Sequence, residues 1–176
     1  MDSFPITNVP QTMSTSNAEP HPAEGDAAPD FALYSDEQKP WRLSNHRDRP
    51  VVLLFFPGAF TSVCTSELNT VNTDFDSFEG AHVAGISTDS PFVLSEFRSV
   101  HGFNFPLLSD HDAEVCARYG AKYGRDFTEM ELNRIAKRAA FVVDRDGTIQ
   151  YAEVLENAGH QPDLAAVEQT VEQLGN

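Results

Sequence analysis

Residues 51–56 (VVLLFF) form the longest apolar run in the chain, rich in β-branched and aromatic side chains, and predict a central strand buried on both faces. After it, Phe60, Cys64, Leu68, Val71, Phe75 and Phe78 recur every three or four residues, one face of a long helix. Residues 83–87 (VAGIS) read as the next strand. Ser90-Pro91 supplies an N-cap and a first-turn proline for a helix running to about Val100. Residues 105–108 are a short strand, and Ser109 or Asp110 caps a helix that ends at Gly120. Residues 121–137 are charged and irregular, with a helical turn expected around 130–135. Residues 139–143 and 148–153 form a hairpin about the turn 144–147 (DRDG). Pro162 opens a last amphipathic helix with Leu164, Val167, Val171 and Leu174 inward. At the other end, residues 31–34 and 41–43 flank a polar run and predict a short hairpin. Strands alternating with helices, closed by a hairpin and a helix, predict an α/β fold: a central mixed β-sheet flanked by helices on both faces.

Residues 1–25 show neither period and are rich in Ser, Thr, Asn and Pro, so they are expected to be a flexible N-terminal extension to one domain over 26–176. The extension has no Lys or Arg and no continuous apolar stretch, which argues against a signal peptide. No apolar run nears the roughly 18 residues that span a bilayer, and a cytoplasmic protein is expected. The balance of 27 acidic against 12 basic residues gives a net charge of −15, with three lysines only (Lys39, Lys122, Lys137). Such a surface repels phosphates, so nucleic-acid and membrane partners are not expected. Acid excess with scarce lysine is also similar to halophilic proteins, whose self-repulsion is screened by salt; an ordinary acidic protein is the alternative.

Two cysteines, Cys64 and Cys116, are too few for a disulfide scaffold. Neither has Cys or His at metal-ligand spacing, and the six histidines are scattered, so no metal and no cofactor are expected. Cys64 stands where the buried strand runs into a helix, and helix N-termini leave backbone N–H groups unpaired. With Thr61 as N-cap, Cys64 is the third helical residue, its amide within reach of the Thr61 hydroxyl and its sulfur in the positive end of the helix dipole. That favours a reactive thiolate. By periodicity alone, Cys64 serves equally as a small core residue beside Leu68 and Val71.

Residues 57–64 (PGAFTSVC) fit the signature P-x-x-x-T-x-x-C, and the chain resembles the peroxiredoxin family, most closely its AhpE-type branch through the pair Glu67-Leu68. The likeness runs from APDF (28–31) through FPLLSD (105–110) and RAAFVVDRDG (138–147) to the final helix. It implies a thioredoxin-like fold and a thiol-dependent peroxidase acting on hydrogen peroxide or organic hydroperoxides without metal or haem. Cys64 would attack the peroxide and become a sulfenic acid, Thr61 would orient the substrate, Pro57 would shield the pocket, and Arg138 would lie beside the thiolate. Glu67, one helical turn from Cys64, is either a proton-moving group or a helix-face carboxylate. The resemblance also implies a homodimer or higher homo-oligomer.

Reduction of the sulfenate requires a thiol. Asn69 occupies the position five residues after Cys64, and residues 117–176 contain no Cys. Cys116 is expected to be a buried structural residue, leaving a one-cysteine enzyme that uses an external reductant: a thioredoxin- or glutaredoxin-like protein or a low-molecular-weight thiol. The alternatives are a two-cysteine peroxidase with Cys116 resolving, or a redox sensor or holdase with little turnover. A dithiol oxidoreductase needs C-x-x-C, and Thr61 stands at its first position.

Overall fold

The computed structural model describes residues 21–175. Strands β1 (Ala32–Ser35), β2 (Pro40–Arg42), β3 (Val51–Phe55), β4 (His82–Ser87), β5 (Leu107–Ser109), β6 (Ala139–Val143) and β7 (Ile149–Val154) form one mixed sheet in the order β2-β1-β5-β4-β3-β6-β7. The inner strands β5, β4 and β3 run parallel, and β6 and β7 are antiparallel additions on one side. On the other side the β1–β2 hairpin pairs Leu33 with Trp41, and β1 lies antiparallel to β5.

Every residue of β3 is buried. Side chains alternate across a strand, so this continuous apolar run feeds two cores at once. Val51, Leu53 and Phe55 join Phe31, Cys116, Tyr119 and Phe141 on one face. Val52 and Leu54, with Phe56 just beyond, join Cys64, Leu68, Phe97 and Val167 on the other. Helices α1 (Ser62–Thr73), α2 (Pro91–His101) and α4 (Leu164–Leu174) cover the second face, and α3 (Glu114–Arg118) covers the first.

The long helix anticipated through Phe78 stops sooner. It ends at Thr73, and a tighter 3₁₀ turn over Phe75–Phe78 follows. Side chains three apart eclipse in a 3₁₀ turn, so the apolar spacing survives the change of helix type: Phe78 is buried and Phe75 packs against the same core. The helix expected after Asp110 is also shorter. Ala113 takes a left-handed φ of 59°, and the carboxylate of Asp110 reaches across that turn to accept from the Val115 and Cys116 amides at 3.1 and 2.7 Å. Ser90 caps α2 as predicted, while α4 starts two residues after Pro162, with Asp163 accepting from the Ala166 amide at 3.1 Å. No helical turn forms around 130–135; the short helix of this stretch is instead Arg125–Phe127, where Phe127 stacks on Tyr123 with ring centroids 3.7 Å apart.

Most of the proposed N-terminal extension, residues 1–20, lies outside the described residues. From Gly25 the backbone is tied to the start of β7, with Gly25 donating to Ile149 at 2.8 Å and Ile149 donating to Asp26 at 2.9 Å. Among the described residues no helix is long and apolar enough to cross a membrane.

Candidate active site

The strand–helix junction is built by two neighbours of β3. The Phe56 amide donates to Ile86 at 2.9 Å, extending the register with β4 by one residue before half-buried Pro57 turns the chain. Phe60 then takes a φ of 64°, and Thr61, extended at φ −82° and ψ 150°, is the N-cap of α1. Cys64 is the third helical residue and 1% exposed. The first intrahelical bond runs from the Thr65 amide to Thr61, which leaves the amides of Ser62, Val63 and Cys64 directed out of the helix end.

Thr61 does not cap those amides. Its hydroxyl donates to the Gly58 carbonyl at 2.8 Å, and no side chain among the described residues caps the first turn. The expected Thr61–Cys64 bond is replaced because the loop folds back and offers a nearer acceptor. The N-terminal amides keep their hydrogen-bonding capacity, and Thr61, with its proton committed, presents lone pairs.

Arg138, the residue before β6, enters from the far side of the junction and is 1% exposed. Its Nη2 donates to Cys64 Sγ at 3.2 Å and to the Ala158 carbonyl at 2.9 Å, while Nη1 donates to Glu67 Oε2 at 2.5 Å. Glu67, one turn along α1 from Cys64, is wholly buried rather than solvated. Burial pushes Glu67 up to about 7, against the opposing pull of Arg138. Burial also works against the charge on Arg138, but Glu67 and Cys64 outweigh it and raise its pKa. The fork geometry of guanidinium allows one side chain to hold sulfur, carboxylate and carbonyl together. The result is a cation and an N–H donor aimed at the sulfur, beside a helix N-terminus.

The structure thus brings Cys64, Glu67 and Arg138 into direct contact, with Thr61 and Pro57 in the loop leading to them. Cys116 is elsewhere. It lies in the core on the opposite face of the sheet, donates weakly from Sγ to the Ala113 carbonyl at 3.4 Å, and has its pKa raised by burial and by Asp110. Three neighbouring groups were not anticipated from sequence. The Ala158 carbonyl is a backbone group with no residue-type signal. Tyr123, whose pKa is raised by burial, by Glu156 and by Cys64, donates to the Glu156 carbonyl at 3.1 Å beside the Lys137–Glu156 pair. Asp89 accepts from the Ala59 amide in the active-site loop at 2.8 Å; its only sequence signal is a carboxylate just past the end of a buried strand. Among the described residues no three His, Cys, Asp or Glu side chains are placed to hold a metal ion.

The model of the AhpC/TSA family matches residues 24–152, and the chain is 38% identical over 131 residues to a putative peroxiredoxin of Mycobacterium tuberculosis, covering 73% of this chain and 83% of that one. The chain belongs to the AhpC/TSA family of peroxiredoxins. It is also 34% identical over 129 residues to peroxiredoxin Bcp of Escherichia coli, covering 72% of this chain and 82% of that one. The crystal structure of peroxidoxin BcpB from Mycobacterium tuberculosis superposes with a TM-score of 0.76 at 31% identity, covering 88% of this chain and 99% of the other. The sheet and helices of this peroxiredoxin are accordingly those of a thioredoxin-like fold.

Proposed function

We propose that this peroxiredoxin is a thiol-dependent peroxidase that reduces hydrogen peroxide and organic hydroperoxides through Cys64, which becomes a sulfenic acid. The observation that carries the reading is the 3.2 Å contact between Arg138 Nη2 and Cys64 Sγ at the start of α1. In the step proposed, the sulfur of the Cys64 thiolate attacks the distal peroxide oxygen, the S–O bond forms as the O–O bond breaks, and the electron pair leaves with the departing oxygen, which takes up a proton as water or alcohol. Negative charge moves from sulfur to that oxygen. Donors fixed around both atoms, the Arg138 guanidinium and the first-turn amides, stabilise the spread charge with little reorganisation. Thr61 accepts from the peroxide O–H, and Pro57 walls the pocket.

The cycle closes outside the chain. One external thiol condenses with the Cys64 sulfenic acid, releasing water and forming a mixed disulfide; a second thiol then displaces Cys64 and leaves as the oxidised reductant. A thioredoxin- or glutaredoxin-like protein or a low-molecular-weight thiol fits this role, and the one-cysteine route is supported by the position of Cys116 on the other face of the sheet. The AhpE-type branch rests on the Glu67-Leu68 pair, a homodimeric or larger assembly and a cytoplasmic location on the sequence reading, and the halophilic assignment on the net charge of −15.

Peroxide consumption with thiol in excess tests the reading. Wild type is expected to turn over many times and Cys64→Ser to lose essentially all activity, since a serine hydroxyl is far from ionised near neutral pH. A Cys64→Ser protein that retains more than about a tenth of the rate would sink it, and a wild type that stops after one equivalent would favour a sensor over an enzyme.

A further inference from the structure

Half-buried Asp89 lies just past the end of β4, where three segments meet. Its Oδ2 accepts from the Ala59 amide at 2.8 Å and from the Ser87 hydroxyl at 2.6 Å, and its carbonyl accepts from the Ser109 hydroxyl at 2.6 Å. Its own amide donates back to Ser87 Oγ at 3.2 Å. Asp89 is thereby anchored to the ends of β4 and β5 and holds one backbone amide of the loop over 57–60.

That amide belongs to the peptide unit whose carbonyl is Gly58 O. The described residues contain no cis peptide bond, so the N–H and C=O of this unit point to opposite sides of one plane. On one side the unit donates to Asp89, and on the other it accepts the Thr61 hydroxyl at 2.8 Å. A rigid three-part chain results: Asp89 carboxylate, peptide 58–59, Thr61 hydroxyl. The next residue, Phe60, sits at a φ of 64°, a left-handed conformation that is unfavourable for a bulky side chain and persists only under restraint.

We propose that Asp89 is a positioning residue for the peroxide step, acting on Thr61 through the peptide 58–59; the proposal rests on the assignment of Cys64 as the peroxide-reducing cysteine. A hydroxyl has one proton and two lone pairs. With its proton drawn to Gly58 O, Thr61 has only lone pairs to offer the substrate, so it accepts from the peroxide O–H and aims the distal oxygen at Cys64. The carboxylate on the N–H side polarises the peptide and strengthens its carbonyl as an acceptor. Without Asp89 the peptide plane is free to rotate, the Thr61 proton can turn toward the sulfur, and the acceptor geometry is lost.

The test separates peroxide chemistry from plain sulfur reactivity. Second-order rates are measured for Cys64 with hydrogen peroxide, by dimedone trapping and mass spectrometry, and with monobromobimane, an alkylating agent that needs no oriented O–H. Asp89→Ala is expected to slow the peroxide reaction about tenfold or more while alkylation stays within about twofold. Asp89→Asn keeps an oxygen facing the Ala59 amide and is expected to recover most of the loss. Ser87→Ala removes the bond that orients the carboxylate and the one that Ser87 Oγ accepts from the Asp89 amide, leaves the carboxylate in place, and is expected to slow the peroxide reaction about threefold; it carries the test if Asp89→Ala does not fold. Wild-type peroxide rates in Asp89→Ala, equal losses in both reactions, no recovery in Asp89→Asn, or an unaffected Ser87→Ala beside an unfolded Asp89→Ala would each overturn the role of Asp89 alone. A wild-type Cys64 inert to peroxide would overturn the peroxidase reading and this role together.

Discussion

Cys64 and Cys116 lie on opposite faces of the seven-stranded sheet. Cys64 belongs to the core with Val52, Leu54 and Phe56, whereas Cys116 belongs to the core with Val51, Leu53 and Phe55, so the sheet separates the two cores that hold the sulfurs. A disulfide needs Cβ atoms within about 4.5 Å, and no local unwinding of α3 carries Cys116 through a sheet.

Peroxide-treated protein, denatured with thiols blocked, is therefore expected to show a dimedone adduct on Cys64 and no intramolecular disulfide. Cys116→Ala should keep turnover with an external thiol and cost about 1 kcal/mol of stability through a small cavity. A quantitative Cys64–Cys116 disulfide, seen as a mass lower by two hydrogens, would overturn the one-cysteine route.

Arg138→Lys should slow the reaction of Cys64 with peroxide roughly tenfold or more, because an ammonium cannot reproduce a planar fork that serves sulfur, carboxylate and carbonyl at once. Stopped-flow or quenched kinetics against hydrogen peroxide measure it. Unchanged second-order rates would place Arg138 outside the reacting geometry despite its contact with Sγ.

Glu67 ties stability to pH. Burial is the largest cause of its rise from 4.5 to about 7, with Arg138 opposing. Between those values the folded state holds a proton that the unfolded chain has released, so the stability linked to Glu67 is complete below about 4.5 and declines as pH rises toward 7. The unfolding free energy of wild type minus that of Glu67→Gln is expected to fall from about pH 5 to pH 7.5, by at most about 3 kcal/mol. Urea unfolding at the two pH values measures it, and a constant difference would show that Glu67 ionises in the fold as it does in the open chain.

The surface charge predicts a salt response. Against 27 acidic residues, the described part of the chain forms only six Lys or Arg ion pairs, one of them buried in the active site. If the excess is a salt adaptation, Tm should rise between about 0.1 and 2 M KCl by more than that of a near-neutral relative, as screening relieves self-repulsion. A flat response would make this an ordinary acidic protein.

Sequence alone determined the elements that are local. The apolar run before Pro57 and the spacing of Cys64, Leu68 and Val71 place a strand–helix junction around the cysteine, because burial on both faces and on one helical stripe leave period-specific marks. The motif residues Pro57, Thr61 and Cys64 follow from the same segment. What tertiary structure decided is which groups meet there. Arg138 is 74 positions from Cys64 and reaches it only because β6 pairs beside β3. Glu67 lies on the face of α1 that periodicity marks, yet whether it is solvated or buried depends on that arginine arriving. The Thr61 hydroxyl turns from the Cys64 amide to the Gly58 carbonyl because the loop is shaped by Asp89, 30 positions from the amide it holds. The separation of the two cysteines likewise depends on which face of the sheet each helix covers. Periodicity says which face of a helix is apolar, and only the closed sheet, through contacts between residues distant in the chain, says against what that face is packed.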